Sequence, residues 1–279
     1  MKIRYLGTAA AEGVPAVFCN CGHCTNARKL KGKEYRSRAQ AVINDDLMID
    51  LGPDTYQSAL RFGVDLSAIK YLLITHTHED HFLPFELTVR GEGYAKDMVQ
   101  KDIYIYGNNR VKERYDHLLA ERMPPQIAAG IHFCQLTPFK RESIGDYQVT
   151  PLPADHMLEE SAFVYLIEKD GKSILYLNDT GRRIDSALQY LGSLGTTLDF
   201  IGFDCTYGIT EAGKYNGHMS IYDNALMLER MRAEGIAGQH TYAMSTHFSH
   251  WYLIPFEKLQ KLASELSLSV AYDGIEITI

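Results

Sequence analysis

The stretch "YLLITHTHEDHF", residues 71 to 82, joins an apolar run to a segment dense in histidine and acidic residues. It predicts a strand, then a loop rich in metal ligands, then a helix. His76 and His78 are two residues apart, so in an extended loop their imidazoles project from the same side. Asp80 and His81 follow as the chain turns and face a second point nearby. Imidazole nitrogens and carboxylate oxygens suit zinc, manganese or iron; a histidine-rich surface loop without metal is the alternative interpretation.

Length and composition indicate a globular protein of enzyme size. The chain has 279 residues, of which 46% are apolar and 23% charged, enough for one large domain with a buried core. The net charge of −7 argues against sequence-independent binding of nucleic acid, which needs a basic surface. No apolar run reaches the roughly 18 residues that a membrane span needs. We therefore expect a cytoplasmic protein that binds neither nucleic acid nor membrane.

Strand and helix patterns alternate along the chain and predict a layered α/β fold with mixed sheets. Strand-like runs occupy residues 2–7, 41–52, 68–76, 102–107, 147–154, 162–179, 198–204, 241–247 and 268–279. Helical patterns occupy roughly residues 54–62, 82–91, 110–122, 184–195, 220–234 and 255–265. Two alternating runs around Asp170-Gly171 predict a hairpin. We expect a single domain over residues 1–279, with an insertion at about 92–140 that either covers the site or elaborates the surface.

The pattern His-x-His-x-Asp-His after an apolar strand resembles the signature of the metallo-β-lactamase superfamily. The resemblance runs over nearly the whole chain, because further motifs of the superfamily follow in order, and it implies a four-layer αββα sandwich. Asp50 in "LMIDLGPD" matches the acidic residue that braces the metal loop from behind. His156 in "LPADHM" matches the third-motif histidine, Asp179 in "ILYLNDTG" the aspartate that bridges two metals, and His247 in "STHFSH" a late histidine of the second site.

The resemblance implies two catalytic divalent metals, manganese or zinc, that share Asp179. One would be held by His76, His78, His156 and Asp179, and the other by Asp80, His81, Asp179 and His247. Such a pair clamps a phosphate and supplies a hydroxide that attacks phosphorus. Asp80 is thereby also assigned to the catalytic residues.

A second cluster of metal-ligand residues lies in "FCNCGHC", residues 18 to 24. Cys19, Cys21 and Cys24 form a C-x-C-x₂-C array that lacks one ligand for a tetrahedral zinc site. His23 is adjacent but crowded by its neighbours, whereas His250 comes from the loop that also carries the late histidine and is the better fourth ligand. A reduced cysteine trio without metal is the alternative.

This second cluster resembles one branch of the superfamily, the phosphodiesterases of the carbon–phosphorus lyase pathway, which open phosphoribosyl 1,2-cyclic phosphate. That branch places three close cysteines after an opening like "GTAAAEGVP", residues 7 to 15, and pairs them with the last histidine of a motif like "THFSH", residues 246 to 250. The ending "YDGIEITI" is also similar. The resemblance implies a structural zinc bound by Cys19, Cys21, Cys24 and His250, and a small cyclic or diester phosphate as substrate.

A general acid is needed because opening a phosphodiester leaves an alkoxide that must be protonated, and histidine is the usual donor near neutral pH. His218 in "YNGHMS" matches the position where those phosphodiesterases place a catalytic histidine. Asp204, at the end of the strand-like run "LDFIGFD", is expected to orient that loop or His218 from behind. The alternative is an incidental histidine near the start of a helix.

Other functions stay open at this stage. A thioester or lactone hydrolase shares the His-x-His-x-Asp-His pattern but does not generally carry the cysteine cluster. A relative in pyrroloquinoline quinone biosynthesis has a similar zinc motif but departs from the full histidine pattern. A tRNA 3′-processing endonuclease would carry a long basic arm that no segment here matches, and a scaffold without chemistry would have lost ligands first. The oligomeric state stays open, with a homodimer as the commonest arrangement.

Overall fold

A computed structural model describes residues 1–157 and 159–279 of the chain. The strands in these residues are β1 (Lys2–Gly7), β2 (Gln40–Ile43), β3 (Leu47–Ile49), β4 (Tyr71–Leu73), β5 (Ile103–Gly107), β6 (Ile131–Gln135), β7 (Glu142–Ile144), β8 (Tyr147–Pro153), β9 (Phe163–Lys169), β10 (Lys172–Leu177), β11 (Leu198–Asp204), β12 (Ala237–Thr246), β13 (Ser269–Val270) and β14 (Glu276–Thr278). The α-helices are α1 (Gly22–Leu30), α2 (Thr55–Phe62), α3 (Asn109–Arg122), α4 (Pro125–Ala128), α5 (Asp185–Ser193), α6 (Ile221–Ala233) and α7 (Phe256–Glu265).

The strands form two seven-stranded sheets of similar design. The first has the order β14-β1-β2-β3-β4-β5-β6 and the second β13-β12-β11-β10-β9-β8-β7. In the first sheet the pairs from β3 to β6 are parallel and the others antiparallel. In the second sheet the pairs from β10 to β13 are parallel and the others antiparallel. Each sheet thus has a parallel half, whose strands end in loops on one edge.

Three apolar cores separate the layers. The core between the sheets includes Tyr5 and Ile49 from one sheet and Tyr165 and Phe200 from the other, all fully buried. A second core packs the outer face of the first sheet against helices α3 and α4, and a third packs the second sheet against α5, α6 and α7. Burial of apolar surface on both faces of both sheets is the main stabilising contribution. The predicted single-domain αββα sandwich is confirmed.

Two hairpin turns illustrate how the local sequence determines the strand pairing. Asp170 and Gly171 join β9 to β10 with positive φ angles of 52° and 71°, which confirms the predicted hairpin. The run at 41–52, which we expect to be one strand, is a second hairpin instead. Asn44 and Asp45 turn the chain with φ angles of 50° and 70°. Asparagine and aspartate tolerate this left-handed conformation best among residues with a side chain, so they suit such a turn.

Some elements differ from the predictions. The helix expected over residues 82–91 is a 3₁₀ helix over Pro84–Val89, because Leu83 precedes a proline, which disfavours the α conformation. Helix α1 and strands β6 and β7 are not predicted from the sequence. Residues 92–140, the expected insertion, contain β5 and β6, which lie within the first sheet; their status as an insertion stays a prediction. Within the described residues, no helix is both long enough and apolar enough to span a membrane.

Candidate metal centre

The predicted ligands lie where strands of both sheets end. Asp50 follows β3, the loop from residue 74 to 81 follows β4, and Asp179 and His247 follow β10 and β12. His156 comes three residues after the end of β8. Because these strand ends meet at one rim of the sandwich, residues from distant parts of the chain converge there.

The first ligand group brings together His76, His78, His156 and Asp179, whose ligand atoms all lie within 4.8 Å of one another. The Nε2 atom of His76 lies 2.9 Å from Nδ1 of His78 and 3.4 Å from Oδ2 of Asp179. The Nε2 atom of His156 lies 3.3 Å from Nδ1 of His78 and 4.0 Å from Oδ1 of Asp179. The four side chains therefore point to one common centre.

The second ligand group consists of Asp80, His81, Asp179 and His247, all buried, with ligand atoms again within 4.8 Å of one another. The Nε2 atom of His81 lies 3.2 Å from Oδ2 of Asp80 and 2.6 Å from Oδ2 of Asp179. The Nε2 atom of His247 lies 3.4 Å from Oδ1 of Asp179. Asp179 belongs to both groups, as the sequence predicts for a bridging carboxylate.

The donor atoms of the second group fit a cation. The Nε2 atoms of His81 and His247 are buried, and neither has a hydrogen bond of good geometry to any residue that the structure describes. Buried polar atoms without partners are costly, so two such nitrogens directed at one carboxylate fit the coordination of a cation. Burial alone would raise the pKa of Asp179, but His247 and His81 hold it well below its usual range. An ionised carboxylate at this position suits a divalent cation.

Three of these residues have unusual backbone conformations. Asp50, Asp179 and His247 have positive φ angles of 67°, 49° and 60°. Such angles are uncommon for residues with a side chain and cost roughly 1–3 kcal/mol each. Strain of this kind persists where the surrounding structure fixes the residue and clusters at functional sites.

Asp50 braces the second group from behind. Its Oδ2 atom accepts a hydrogen bond from Nδ1 of His81 at 2.7 Å, and its Oδ1 atom accepts one from the backbone N–H of Thr75 at 2.8 Å. A carboxylate on the far nitrogen of a histidine fixes the ring and directs Nε2 to the metal. Gly52 lets the two loops meet, because a Cβ there would lie 2.1 Å from the carbonyl oxygen of Asp80.

Asp204 supports two histidines at once. Its Oδ2 atom lies 3.0 Å from Nδ1 of His218 and 3.3 Å from Nδ1 of His247. Burial lowers the pKa of His218, but the carboxylates of Asp204 and Asp179 outweigh this and raise it to about 9 in the metal-free protein. The same Nδ1 atom of His218 also lies 3.4 Å from Oδ1 of Asp179, so this nitrogen faces both carboxylates at the edge of the centre. With Asp179, Asp204 and His247 it forms a further group of ligand type.

Two threonines complete the site and are missed by the sequence analysis. Thr75 donates to Asp50, and Thr206 donates to Asp204 at 3.0 Å while its hydroxyl lies 2.8 Å from Nδ1 of His247. Each threonine stands one or two residues from a residue that the motifs do identify. That proximity is the only sequence signal, because threonine is common in strands and loops of every kind.

The second predicted cluster also assembles. Nδ1 of His250 lies 3.7 Å from Sγ of Cys19 and 3.5 Å from Sγ of both Cys21 and Cys24. Cys21 caps helix α1 by accepting a hydrogen bond from the backbone N–H of Cys24. The group that could hold a metal consists of the three cysteines and His250 and does not include His23. Three sulfurs and one imidazole nitrogen suit tetrahedral zinc.

Comparisons with known proteins agree with this architecture. A family model described as a beta-lactamase superfamily domain matches residues 46–244, which contain the ligands from Asp50 to Asp179 but neither His247 nor the cysteine cluster. Coenzyme PQQ synthesis protein B of Methylobacterium radiotolerans is 28% identical over 193 residues, or 64% of this chain and 56% of that protein. The match thus spans little more than half the length of this curated relative.

Solved structures resemble the chain over nearly its full length. A diphosphatase from the PhnP family has a TM-score of 0.73 at 22% identity and covers 100% of this chain and 97% of its own. Zn²⁺-bound PqqB from Methylobacterium extorquens has a TM-score of 0.74 at 18% identity, with 100% of both chains covered. The short form of human tRNase Z has a TM-score of 0.66 at 18% identity and covers 100% and 99%.

At these identities the structural likeness shows a shared fold. The family match covers most of the chain, and it includes the His-x-His-x-Asp-His loop that carries the resemblance seen in the sequence. The chain belongs to the β-lactamase superfamily and has the metallo-β-lactamase fold.

Proposed function

We propose that this protein is a metal-dependent phosphodiesterase that hydrolyses a small cyclic or diester phosphate. One observation supports this most: the pair of His218 and Asp204 stands beside the ligand groups, with His218 3.4 Å from Asp179 and 3.0 Å from Asp204. An alkoxide leaving group needs a proton donor. A thiolate leaves readily without one, because thiols ionise near pH 8.5. The pair therefore favours an oxygen ester over a thioester.

The proposed metal ligands are the two groups already described, with Asp179 shared between them. His76, His78, His156 and Asp179 would hold one divalent cation, and Asp80, His81, Asp179 and His247 the other. When bound, such cations polarise phosphoryl oxygens and lower the pKa of a coordinated water. Oxygen and nitrogen donors accept both manganese and zinc, so either metal fits these groups.

The side chains around the metal ligands would orient the site and supply the proton. Asp50 holds His81 and Asp204 holds His218 and His247, so the side chains around the substrate are oriented before it binds. Because Nδ1 of His218 is engaged by Asp204, we assign the transferable proton to Nε2. This nitrogen would protonate the leaving oxygen as its bond to phosphorus breaks.

The net charge and the sequence motifs indicate the class of substrate. The cysteine cluster and its partner His250 resemble the branch that opens phosphoribosyl 1,2-cyclic phosphate, and this sugar phosphate is the first candidate. A solved neighbour is a PhnP-family diphosphatase, which is consistent with phosphate chemistry. A tRNA substrate fits the net charge of −7 poorly, and thus a small phosphodiester is the proposed ligand.

The test is an assay on protein stripped with a chelator and reloaded with Mn²⁺ or Zn²⁺. We expect hydrolysis of bis(p-nitrophenyl) phosphate and of phosphoribosyl 1,2-cyclic phosphate, and little turnover of a glutathione thioester or a homoserine lactone. His247→Gln should remove the phosphodiesterase activity. His240→Gln, a change on the same strand β12 at an exposed position, serves as the matched control. Faster turnover of the thioester or lactone than of either phosphodiester would refute the proposal.

A further inference from the structure

We propose that Tyr252 is a positioning residue that fixes the loop carrying His218 against the segment anchored at the cysteine cluster. Two segments are involved. The acid loop, residues 205–219, follows β11 and carries His218. The anchor turn, residues 247–252, follows β12 and carries His247, His250 and Tyr252. The inference rests on the proposed role of His218 as general acid, and it adds a residue that contacts neither ligand group.

The anchor turn is held from several directions. His250 faces the three cysteine sulfurs at 3.5–3.7 Å. The backbone of Phe248 bonds the N-terminal segment twice: its N–H donates to the carbonyl of Thr8 at 2.9 Å, and its carbonyl accepts from Ala10 at 3.0 Å. His247, Phe248 and His250 are buried. The anchor turn is therefore a fixed platform.

Hydrogen bonds join the first and last residues of the acid loop. The N–H of Tyr207 donates to the carbonyl of Met219 at 2.9 Å, and the N–H of Met219 donates to Asp204 at 3.0 Å. The distal part of the loop is mostly exposed. Asp223 accepts a hydrogen bond from the N–H of Gly213 at 2.8 Å, the guanidinium of Arg182 lies beside Gly213, and the anchor turn supplies further contacts.

Tyr252 contacts the acid loop through both its backbone and its ring. Its carbonyl oxygen accepts a hydrogen bond from the N–H of Ile209 at 3.1 Å. Its ring centroid lies 5.7 Å from that of Tyr207 and 5.9 Å from that of Tyr215. Gly208 allows this approach, since a Cβ there would lie 2.1 Å from the carbonyl oxygen of Tyr252.

The contact continues to His218 itself. The ring of Tyr207 packs edge-on against the imidazole of His218, with centroids 5.5 Å apart. The hydroxyl of Tyr207 donates to the carbonyl of Asn216, two residues before His218, at 3.1 Å. Aromatic pairs at such distances are attractive and directional. A chain of packed rings thus runs from the anchor turn through Tyr252 and Tyr207 to the general acid.

A role of Tyr252 in positioning His218 can be distinguished from a role in overall protein stability. Loss of the Tyr252 ring should harm the proton transfer by His218 and leave the attack on phosphorus nearly intact. Diphenyl phosphate expels phenolate, whose conjugate acid has a pKa of about 10 and which needs protonation. Bis(p-nitrophenyl) phosphate has the same diaryl phosphate core but expels a better leaving group that depends less on the acid. The ratio of kcat/KM for the two esters therefore reports on the placement of His218.

The experiment compares Tyr252→Leu with Tyr252→Phe, which keeps the ring, and with Tyr56→Leu, which removes an exposed tyrosine from α2. For Tyr252→Leu we expect kcat/KM on diphenyl phosphate to fall by about tenfold or more, since a small misplacement of a catalytic group can cost ~100-fold. The fall on bis(p-nitrophenyl) phosphate should stay within about threefold. Gly208→Ala should act in the same direction, because its Cβ would push the acid loop away from Tyr252.

Hydrogen–deuterium exchange supplies a readout that does not depend on activity. In Tyr252→Leu, amides of residues 207–218 should exchange faster, while those of the hairpin β9–β10 keep the wild-type rate. Equal losses of kcat/KM on both esters, or unchanged exchange in the acid loop, would overturn the inference. If the wild type hydrolyses neither ester and also leaves phosphoribosyl 1,2-cyclic phosphate intact, the proposed function fails instead, and the exchange data still decide whether Tyr252 holds the loop.

Discussion

The His/Asp cluster and the cysteine cluster are both groups of metal-ligand residues, yet the fold builds them in different ways. The His/Asp cluster gathers ligands from the ends of β4, β10 and β12 and from the loop after β8, and most of its side chains are buried. The cysteine cluster takes three ligands from six consecutive positions, with only His250 coming from afar. Cys21 is exposed and Cys19 half-buried.

The difference concerns what holds the ligands in place. In the His/Asp cluster, Asp50 faces Nδ1 of His81 and Asp204 faces Nδ1 of His247, in each case the nitrogen away from Asp179. Asp50, Asp179 and His247 also have strained backbones. The cysteine cluster is held mainly by a helix cap and one long-range contact. We infer that the two sheets preorganise the first cluster, whereas a bound metal would itself complete the second.

A change at Asp179 is expected to have the largest effect and to act on the His/Asp cluster alone. Asp179→Asn keeps the size of the side chain and suits the left-handed backbone, but it removes the shared negative charge. We expect the proposed phosphodiesterase activity to fall by roughly 1000-fold and the His/Asp cluster to bind metal much more weakly than in the wild type. The cysteine cluster should keep its zinc. Elemental analysis of metal per chain, beside the ester assay, measures both effects.

A matched control exists at the opposite end of the same strand. Asp170 precedes β10 with a φ of 52°, close to the 49° of Asp179 after it. Asp170→Asn should leave activity and metal content at the wild-type level. Full activity and full metal content in Asp179→Asn would show that this carboxylate is not the shared ligand.

The next largest effect is expected at His218. If His218 is the general acid, the substitution His218→Gln should lower kcat on diphenyl phosphate by about 100-fold or more. The metal content should not change. The structure also places His218 in a ligand-like group with Asp179, Asp204 and His247. Loss of a metal ion in His218→Gln would therefore assign it as a ligand and remove it as the acid. The control is His117→Gln, a change at an exposed histidine on α3.

Much of this contrast could be predicted from the sequence. The strand pattern and the His-x-His-x-Asp-His loop predict the αββα fold, because alternating strands must bury both faces of two sheets. Helix α1 is missed since its sequence, "GHCTNARKL", has little apolar periodicity. Its cap is Cys21, so its start depends on the cysteine cluster. Strands β6 and β7 are missed because their sequences, "IHFCQ" and "ESI", are short and mix polar with apolar residues.

In the candidate site, too, sequence motifs identify some residues, whereas others can be found only from the tertiary structure. Its histidines and carboxylates could be named because their residue types and order are distinctive. Thr206 and Tyr252 could not, since a hydroxyl near His247 and a ring near Tyr207 acquire meaning only when β11 and β12 bring their loops together. Local spacing predicts ligands, whereas the residues that hold ligands in place follow from tertiary packing.

A substitution in the cysteine cluster should have a smaller effect and should leave the His/Asp cluster unchanged. His250→Ala should release about one zinc per chain and lower the Tm by about 5–10 °C, because structural zinc contributes free energy of folding. Metals of the His/Asp cluster should stay bound. Activity on bis(p-nitrophenyl) phosphate should stay within about threefold of wild type, as this ester depends little on the placement of His218.

Cys21→Ala should behave in the same way, and Cys134→Ala, a cysteine outside the cluster, is the control. Metal content and thermal denaturation are the measurements. An unchanged Tm together with lost activity would reverse the assignment, because the cysteine cluster would then serve catalysis rather than folding.

The smallest expected effect concerns the chemistry of Cys21 in chelated protein. The backbone N–H of Cys24 and then His250 lower the pKa of this exposed thiol to about 6, so it is mostly thiolate above that pH. Its alkylation by iodoacetamide should be nearly flat between pH 7 and 8, while an ordinary cysteine of pKa about 8.5 gains roughly eightfold. Below pH 6 the rate should fall, because the thiolate takes up a proton.

Burial raises the pKa of the Cys134 thiol, which makes Cys134 the internal reference in the same digest. Zinc should protect Cys21, since a coordinated thiolate is withheld from the reagent, and peptide mass spectrometry quantifies each site. A rate for Cys21 that keeps rising through pH 8, or that zinc leaves unchanged, would mean that the cysteines are not poised to bind metal. The contrast with the His/Asp cluster would then be one between a metal centre and a reduced cysteine trio that only packs.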